Sequence, residues 1–264
     1  MLPAQPLGYD RPMLGHQQLG SGKTPVIVLN DWISDTSSWD AAHPYLDRAT
    51  FTWALTDLRG YGRSKNIAGK YTVDEAAADV LALCDSLGWQ RFAIVGHSMS
   101  TLVALHLAQE QPSRIDRAAL LAPVPTTGLG VDYATLAFLQ GMGSGSDAQR
   151  LDGLRATWGD RLSEQWIQFK AQRWRAVATP EASAAYAKMF ARDGLPRPDA
   201  RVACPVLAIT GEKDAPPMRQ AAVTDFLAPI CERLIVTPLV DCGHYPMQEA
   251  PPLLVTTLER FLVR

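Results

Sequence analysis

The chain lacks most of the features that mark specialised classes of protein. Its 264 residues hold four cysteines, Cys84, Cys204, Cys231 and Cys242, scattered without the close pairs of a metal site. They read as free thiols of a reducing compartment, and no metal and no cofactor is expected. Neither sign of charge dominates: 25 Lys and Arg face 27 Asp and Glu, a net charge of −2. Nothing therefore points to nucleic acid or to an anionic membrane as a partner. No apolar run approaches the roughly 18 residues of a membrane span. Met1 to Pro12 carries no apolar stretch and no basic flank, so no signal peptide is expected and the expected location is cytoplasmic. There is no internal repeat and no low-complexity tract.

What is present is a large supply of core residues, 47% hydrophobic, in a length that fits one large α/β domain or a domain with an insertion. Short apolar runs recur at Pro25 to Leu29, Phe51 to Leu55, Phe92 to Val95, Ala118 to Ala122, Val206 to Thr210 and Leu234 to Val236, and read as buried strands. Helical patterns lie between them. Thr72 and Glu75 form a capping-box signature before Ala76, Val80, Leu81, Cys84 and Leu87, and Gly88 closes that helix. Pro251 and Pro252 open a last helix through Leu253, Leu254, Leu258 and Phe261. Strands alternating with helices predict a mostly parallel, doubly wound sheet covered on both faces.

The alternation breaks once. Residues 126–198 hold no strand candidate but three helical patterns, near 147–158, 162–174 and 180–192, after a stretch from Gly141 to Ser146 that reads as flexible. The expected organisation is a core of residues 1–125 and 199–264 with a helical cap of residues 126–198. Trp158, Trp166 and Trp174, with Phe138, Phe169 and Phe190, lie in this segment. Most would pack it onto the core, and a few would line an apolar pocket beneath it.

Ser98 stands in Gly96-His-Ser-Met-Ser100, between the strand from Phe92 and the helix through Leu102, Val103 and Leu105. A serine on a sharp strand-to-helix turn, with small residues two places to either side, is the nucleophile-elbow pattern. Serine alone is a weak nucleophile and needs a base oriented by an acid. Of the five histidines, His244 lies in Asp241-Cys-Gly-His-Tyr-Pro246, after the last strand, where a parallel sheet presents functional residues at its carboxyl edge. His16 and His43 read as surface residues, His106 as packed or solvated, and His97 as pointing away from Ser98. Asp214 follows the strand Val206 to Thr210 and is the candidate acid. Glu212 should face solvent, and Asp241 should shape its loop. The backbone N–H groups of Met99 and Trp32 are the candidate oxyanion donors.

These motifs resemble, in order and over nearly the whole chain, the α/β-hydrolase superfamily. Asn30-Asp-Trp32 with Trp39 resembles its oxyanion loop, and Asp57-Leu-Arg-Gly-Tyr-Gly-Arg-Ser64 its D-x-R-G-x-G-x-S stretch. Gly211-Glu-Lys-Asp214 resembles its acid loop, and Gly243-His-Tyr-Pro-Met-Gln-Glu249-Ala-Pro251 its histidine loop. The resemblance implies an α/β-hydrolase sheet with a helical cap and a Ser98–His244–Asp214 triad. Two departures stand out. Asn30-Asp31 occupies the place of the family's His-Gly, so Asp31 is expected to tolerate a left-handed backbone and to bind some group outside the oxyanion hole. Ser100 replaces the usual glycine, as in the sub-branch resembling stress-pathway hydrolases and plant butenolide-hormone receptors.

The expected activity is hydrolysis of a carboxylic ester or lactone of a small, apolar or aromatic substrate through an acyl-enzyme. Asp31, Trp158, Trp166 and Tyr245 are candidate pocket residues. The alternatives are a carbon–carbon bond hydrolase, an amidase or cofactor-free oxygenase on the same site, and a slow-turnover ligand receptor. The expected partner is a small molecule, and the expected state a monomer or homodimer.

Overall fold

The computed structural model describes residues 12–263; the amino-terminal segment read above for a leader lies, but for Pro12, outside them. The strands are β1 (His16–Leu19), β2 (Thr24–Leu29), β3 (Phe51–Thr56), β4 (Phe92–His97), β5 (Ile115–Leu121), β6 (Val202–Gly211) and β7 (Cys231–Leu239). They form one sheet in the order β1-β3-β2-β4-β5-β6-β7. All neighbours run parallel except β1, which pairs antiparallel with β3 from His16↔Thr56 to Leu19↔Trp53. The sheet is thus the expected doubly wound one. Its antiparallel edge strand, His-Gln-Gln-Leu, is short and polar and has no signal in the sequence.

Helices cover both faces, so central strands are apolar on both sides. Val26, Ile27, Val28 and Leu29 are at most 1% exposed. Burial of each such side chain is worth about 1.5–3 kcal/mol before entropy is counted. The covering helices are α1 (Val73–Ser86), α2 (Ser100–Glu110), α7 (Gln220–Leu227), a short α8 (Pro246–Glu249) and α9 (Pro251–Leu262). Thr72 caps α1 by accepting from the Glu75 amide at 3.2 Å. The other half of the expected capping box differs. The Glu75 carboxylate accepts from the amides of Lys70 and Tyr71 instead, which holds the preceding turn, where Tyr71 has φ 56°. None of the helices among the described residues is long and apolar enough to cross a membrane.

Between β5 and β6 lie four helices rather than three: α3 (Tyr133–Ser144), α4 (Asp147–Trp158), α5 (Glu164–Val177) and α6 (Pro180–Lys188). The stretch expected to be flexible is largely the end of α3. Its glycines serve close packing: a Cβ on Gly143 would lie 2.6 Å from the Ser183 Cβ. Gly153 on α4 likewise admits the Met142 side chain. The pattern predicted to run to residue 192 narrows at Lys188, where α6 gives way to a π-helical turn, Met189–Asp193, ended by Gly194 at φ 64°.

The topology positions the site. From β2 the chain moves to one side to form β3, then crosses to the other side of β2 to form β4. The loops after β2 and β4 therefore diverge at the carboxyl ends of the strands, and such a switch point is the ligand position of open α/β sheets.

Candidate active site

Ser98 sits at the end of β4 with φ 54°, a left-handed conformation uncommon for a residue with a side chain. Three bonds hold it there. Its amide donates to the Leu121 carbonyl at 2.8 Å, and its carbonyl accepts from the Thr101 amide and hydroxyl at 3.0 and 2.6 Å. A Cβ on Gly96 would lie 2.6 Å from the Ser100 carbonyl oxygen, so only glycine fits there. Ser100 takes a structural part. Its hydroxyl accepts from the His97 amide at 2.9 Å and donates to the His97 carbonyl at 3.0 Å, which closes the turn by a side chain.

His244 and Asp214 meet at the ends of β7 and β6. The His244 Nδ1–H donates to the Asp214 carboxylate, at 3.0 Å from Oδ1 and 2.9 Å from Oδ2. Burial disfavours a charged His244 ring, but the Asp214 charge and hydrogen bond outweigh it and hold its pKa above the ordinary 6.5. Burial would likewise raise Asp214, and the same partner instead holds it below the ordinary carboxylate value. With Nδ1 committed to Asp214, the free nitrogen of a neutral His244 is Nε2, the acceptor a general base needs. Among the described residues the Ser98 hydroxyl makes no hydrogen bond. Such contacts often tighten only when substrate is bound.

Glu249 sets the histidine loop. Its carboxylate accepts from the Gly243 amide at 2.7 Å and the Tyr245 amide at 3.0 Å, and from Arg161 at 2.6 Å. The His97 ring lies beside the His244 ring at 5.2 Å between centroids and touches the His244 backbone carbonyl through Nε2 at 2.7 Å. A carbonyl only accepts, so Nε2 carries the proton. Burial pushes the His97 ring down to about 4, so it is neutral near pH 7.

Trp32 is fixed from both ends. Its indole donates to the Ser183 carbonyl on α6 at 2.8 Å, and its own carbonyl accepts from the Tyr61 hydroxyl at 2.6 Å. The amides of Trp32 and Met99 have no acceptor among the described residues. Asn30 fixes the same loop by donating to the carbonyls of Asp31 and Ser34 and accepting from the Leu58 amide. Asp31 departs from the expected geometry. It is not among the residues with positive φ; besides glycines these are Tyr71, Ser98, Ala122 and Asp241.

The remaining pocket candidates come together. Asp31 is buried and accepts from the Tyr245 hydroxyl at 2.7 Å. Trp158 lies 6.0 Å from His244 and 5.9 Å from Tyr245, and Trp166 5.5 Å from Tyr245, between ring centroids. Lys170, on the same helix as Trp166, escapes a reading by residue type. Its ammonium donates to Ser34 and stands 3.9 Å from the Tyr245 ring centroid. Burial lowers its pKa to about 8 against the attraction of Asp31 and Asp35. Its signal was a lysine four residues from both Trp166 and Trp174, on the apolar face of α5. Outside this group a cleft of about 460 Å³ is lined by Ser38, Asp40, Trp166, Phe169, Arg173 and Gln248. Trp166 both lines this cleft and packs against the Tyr245 ring.

The other candidates lie elsewhere. His16 is on β1, His43 is beside Asp40, and His106 on α2 has Nε2 2.8 Å from Asp74. Glu212 and Asp241 are exposed, and Asp241 turns its loop with φ 55°. The four cysteines are buried free thiols.

The chain resembles known proteins over two different extents. A dihydrolipoyllysine-residue acetyltransferase component of an acetoin cleaving system from Pseudomonas putida is 34% identical over 111 residues, 42% of this chain and 29% of that protein. A 2-heptyl-3-hydroxy-4(1H)-quinolone dioxygenase from Mycobacteroides abscessus is 32% identical over 107 residues, 38% of this chain and 39% of that one. The matched segments thus span well under half of these relatives. The enol-lactonase from Burkholderia xenovorans LB400 superposes with a TM-score of 0.80 at 25% identity, over 95% of this chain and 96% of that one. The family described as the alpha/beta hydrolase fold matches residues 24–209, more than half of the chain. On that match and on the sheet that carries these loops, the chain belongs to the alpha/beta hydrolase fold family.

Proposed function

We propose that the chain is a serine hydrolase that cleaves a carboxylic ester or lactone of a small, apolar or aromatic substrate. The observation that carries this reading is the His244–Asp214 hydrogen bond, which leaves Nε2 of the neutral ring as the free base on a loop that His97 ties to the strained turn of Ser98. In the proposed cycle His244 Nε2 takes the Ser98 hydroxyl proton as Oγ attacks the carbonyl. The amides of Trp32 and Met99 receive the oxyanion, and Asp214 stabilises the imidazolium. The protonated ring returns its proton to the leaving oxygen, and water, deprotonated by the same nitrogen, releases the acid. Residues 126–198 act as the cap, with Trp158 and Trp166 as its apolar contribution to the pocket. The 25% identity to an enol-lactonase over nearly the whole chain supports the lactone half of this reading.

The test is turnover of short aryl esters and small lactones by wild type and Ser98→Ala. Rapid hydrolysis that Ser98→Ala abolishes is expected; activity untouched by that change would rule the acyl-enzyme out. The likeness to a quinolone dioxygenase, with a buried His–Asp pair able to take a substrate O–H proton, favours cofactor-free oxygenation as the second reading. Oxygen consumption that persists in Ser98→Ala would favour it.

A further inference from the structure

The Asp31 carboxylate is half satisfied. Oδ2 takes the Tyr245 hydroxyl at 2.7 Å, while Oδ1 is buried and has no hydrogen-bond partner among the described residues. A buried carboxylate oxygen without a partner is costly, so an oxygen left in that state within a built site marks a place for a ligand. The place is defined. Asp31 immediately precedes Trp32, whose amide is a proposed oxyanion donor, and its bond to Tyr245 ties it to the residue after His244. The carboxylate therefore stands between the oxyanion loop and the histidine loop.

Charge decides what it would bind. The Lys170 ammonium, held by Ser34 and the Tyr245 ring, compensates the carboxylate from the cap side. Against the burial that would raise it, Lys170 leads the attractions that keep the Asp31 pKa below the ordinary value, so the carboxylate is an anion at neutral pH. An anion beside the oxyanion hole repels the charge that develops on an ordinary ester. A substrate whose own O–H or N–H lies next to the reacting carbonyl turns that repulsion into a hydrogen bond.

Resting on the serine-hydrolase reading of the site, we propose that Asp31 is the specificity residue and that its Oδ1 accepts a hydrogen bond from an O–H or N–H donor adjacent to the substrate carbonyl. The class is thus a hydroxy- or amino-substituted acyl compound rather than a plain aliphatic ester.

Methyl mandelate and its O-methyl ether differ in that donor, which a methyl group replaces, and the Asp31→Asn comparison separates the hydrogen bond from the added bulk. Their binding to Ser98→Ala, read by quenching of tryptophan fluorescence, is expected to favour the hydroxy ester by about tenfold or more, as a charge-assisted hydrogen bond would. In Ser98→Ala/Asp31→Asn the amide keeps the Tyr245 bond but offers N–H where the carboxylate accepted, so the preference should vanish or invert. Equal affinity for the two esters, no binding of either, or a preference that survives Asp31→Asn in a protein that still melts cooperatively would each overturn the proposal. Wild-type turnover of the same pair tests the hydrolase reading separately: a binding preference with no hydrolysis sinks that reading and leaves the Asp31 assignment standing.

Discussion

The His97 ring donates from Nε2 to the backbone carbonyl of His244 at 2.7 Å, so the residue before Ser98 is tied to the loop that holds the candidate base. The ring is neutral near pH 7, with its pKa pushed down by burial to about 4, and its Nε2–H can donate in either protonation state. His97→Leu would leave that carbonyl buried and unpaired and let the loop shift. The expected result is a kcat lower by about tenfold or more with KM little changed, since a small misplacement of a base costs rate rather than binding. His97→Gln, which can still donate, should recover part of the loss. A KM effect alone would remove His97 from the positioning role.

The pH profile follows from the His244–Asp214 pair. The base form is needed, and the ring's pKa is held above 6.5, so kcat/KM should rise with pH through a limb above that value. Asp214→Asn removes the opposing charge and leaves burial, which favours the neutral ring. Its residual activity should be much lower, with the limb displaced to lower pH. A limb that stays in place would mean that another group titrates.

The elbow can be tested through stability. Ser100→Ala removes the partner of the His97 amide and should cost about 1–3 kcal/mol, the penalty of a buried donor left unpaired. Gly96→Ala drives a Cβ to within 2.6 Å of a backbone oxygen and should do worse, because a carbonyl at a helix start cannot swing away. Denaturant unfolding of both variants measures the order; Gly96→Ala as stable as wild type would contradict the geometry.

Lys170 makes a prediction of the opposite sign. Its folded-state pKa, about 8, lies below the ordinary 10.5, so between these values the unfolded chain binds the proton more tightly than the native one. Native stability should therefore gain a favourable contribution as pH rises from about 8 towards 10.5. Lys170→Met, of similar shape and no charge, should lack this increment. The difference between the two proteins' unfolding free energies at pH 8 and pH 10 reads it directly; no change in that difference would place the ammonium in water.

Trp166 separates the outer cleft from Tyr245, with its indole bonded to Gln248 at 3.3 Å. Trp166→Ala should open the cleft towards the Tyr245 ring and raise kcat/KM for longer acyl chains relative to short ones. An unchanged chain-length profile across a series of aryl esters would show that substrate does not pass this wall.

Much of this was readable in the chain order of residues. Six apolar runs marked six of the seven strands, and Ser98, Asp214 and His244 could be picked as candidates because each follows a strand and lies in a motif of local spacing. Periodicity and turn chemistry are local properties, and local properties survive in one dimension. The polar edge strand β1, the helical Gly141–Ser144 stretch and the π turn after α6 were not readable, because partner strands and packed helices decide them.

The same division runs through the site. The residues of the elbow, the acid loop and the histidine loop announce themselves by sequence, whereas the partners that charge and orient them come from far along the chain. Lys170 reaches Ser34 across 136 residues, Arg161 reaches Glu249 across 88, and Tyr245 reaches Asp31 across 214. Sequence by itself determined the fold class and the candidate triad, since both rest on short-range pattern. Only the tertiary structure decided that Asp31 would be a buried, compensated anion with one oxygen left over, because burial and opposing charge exist only once α5 packs against the loops at the end of the sheet.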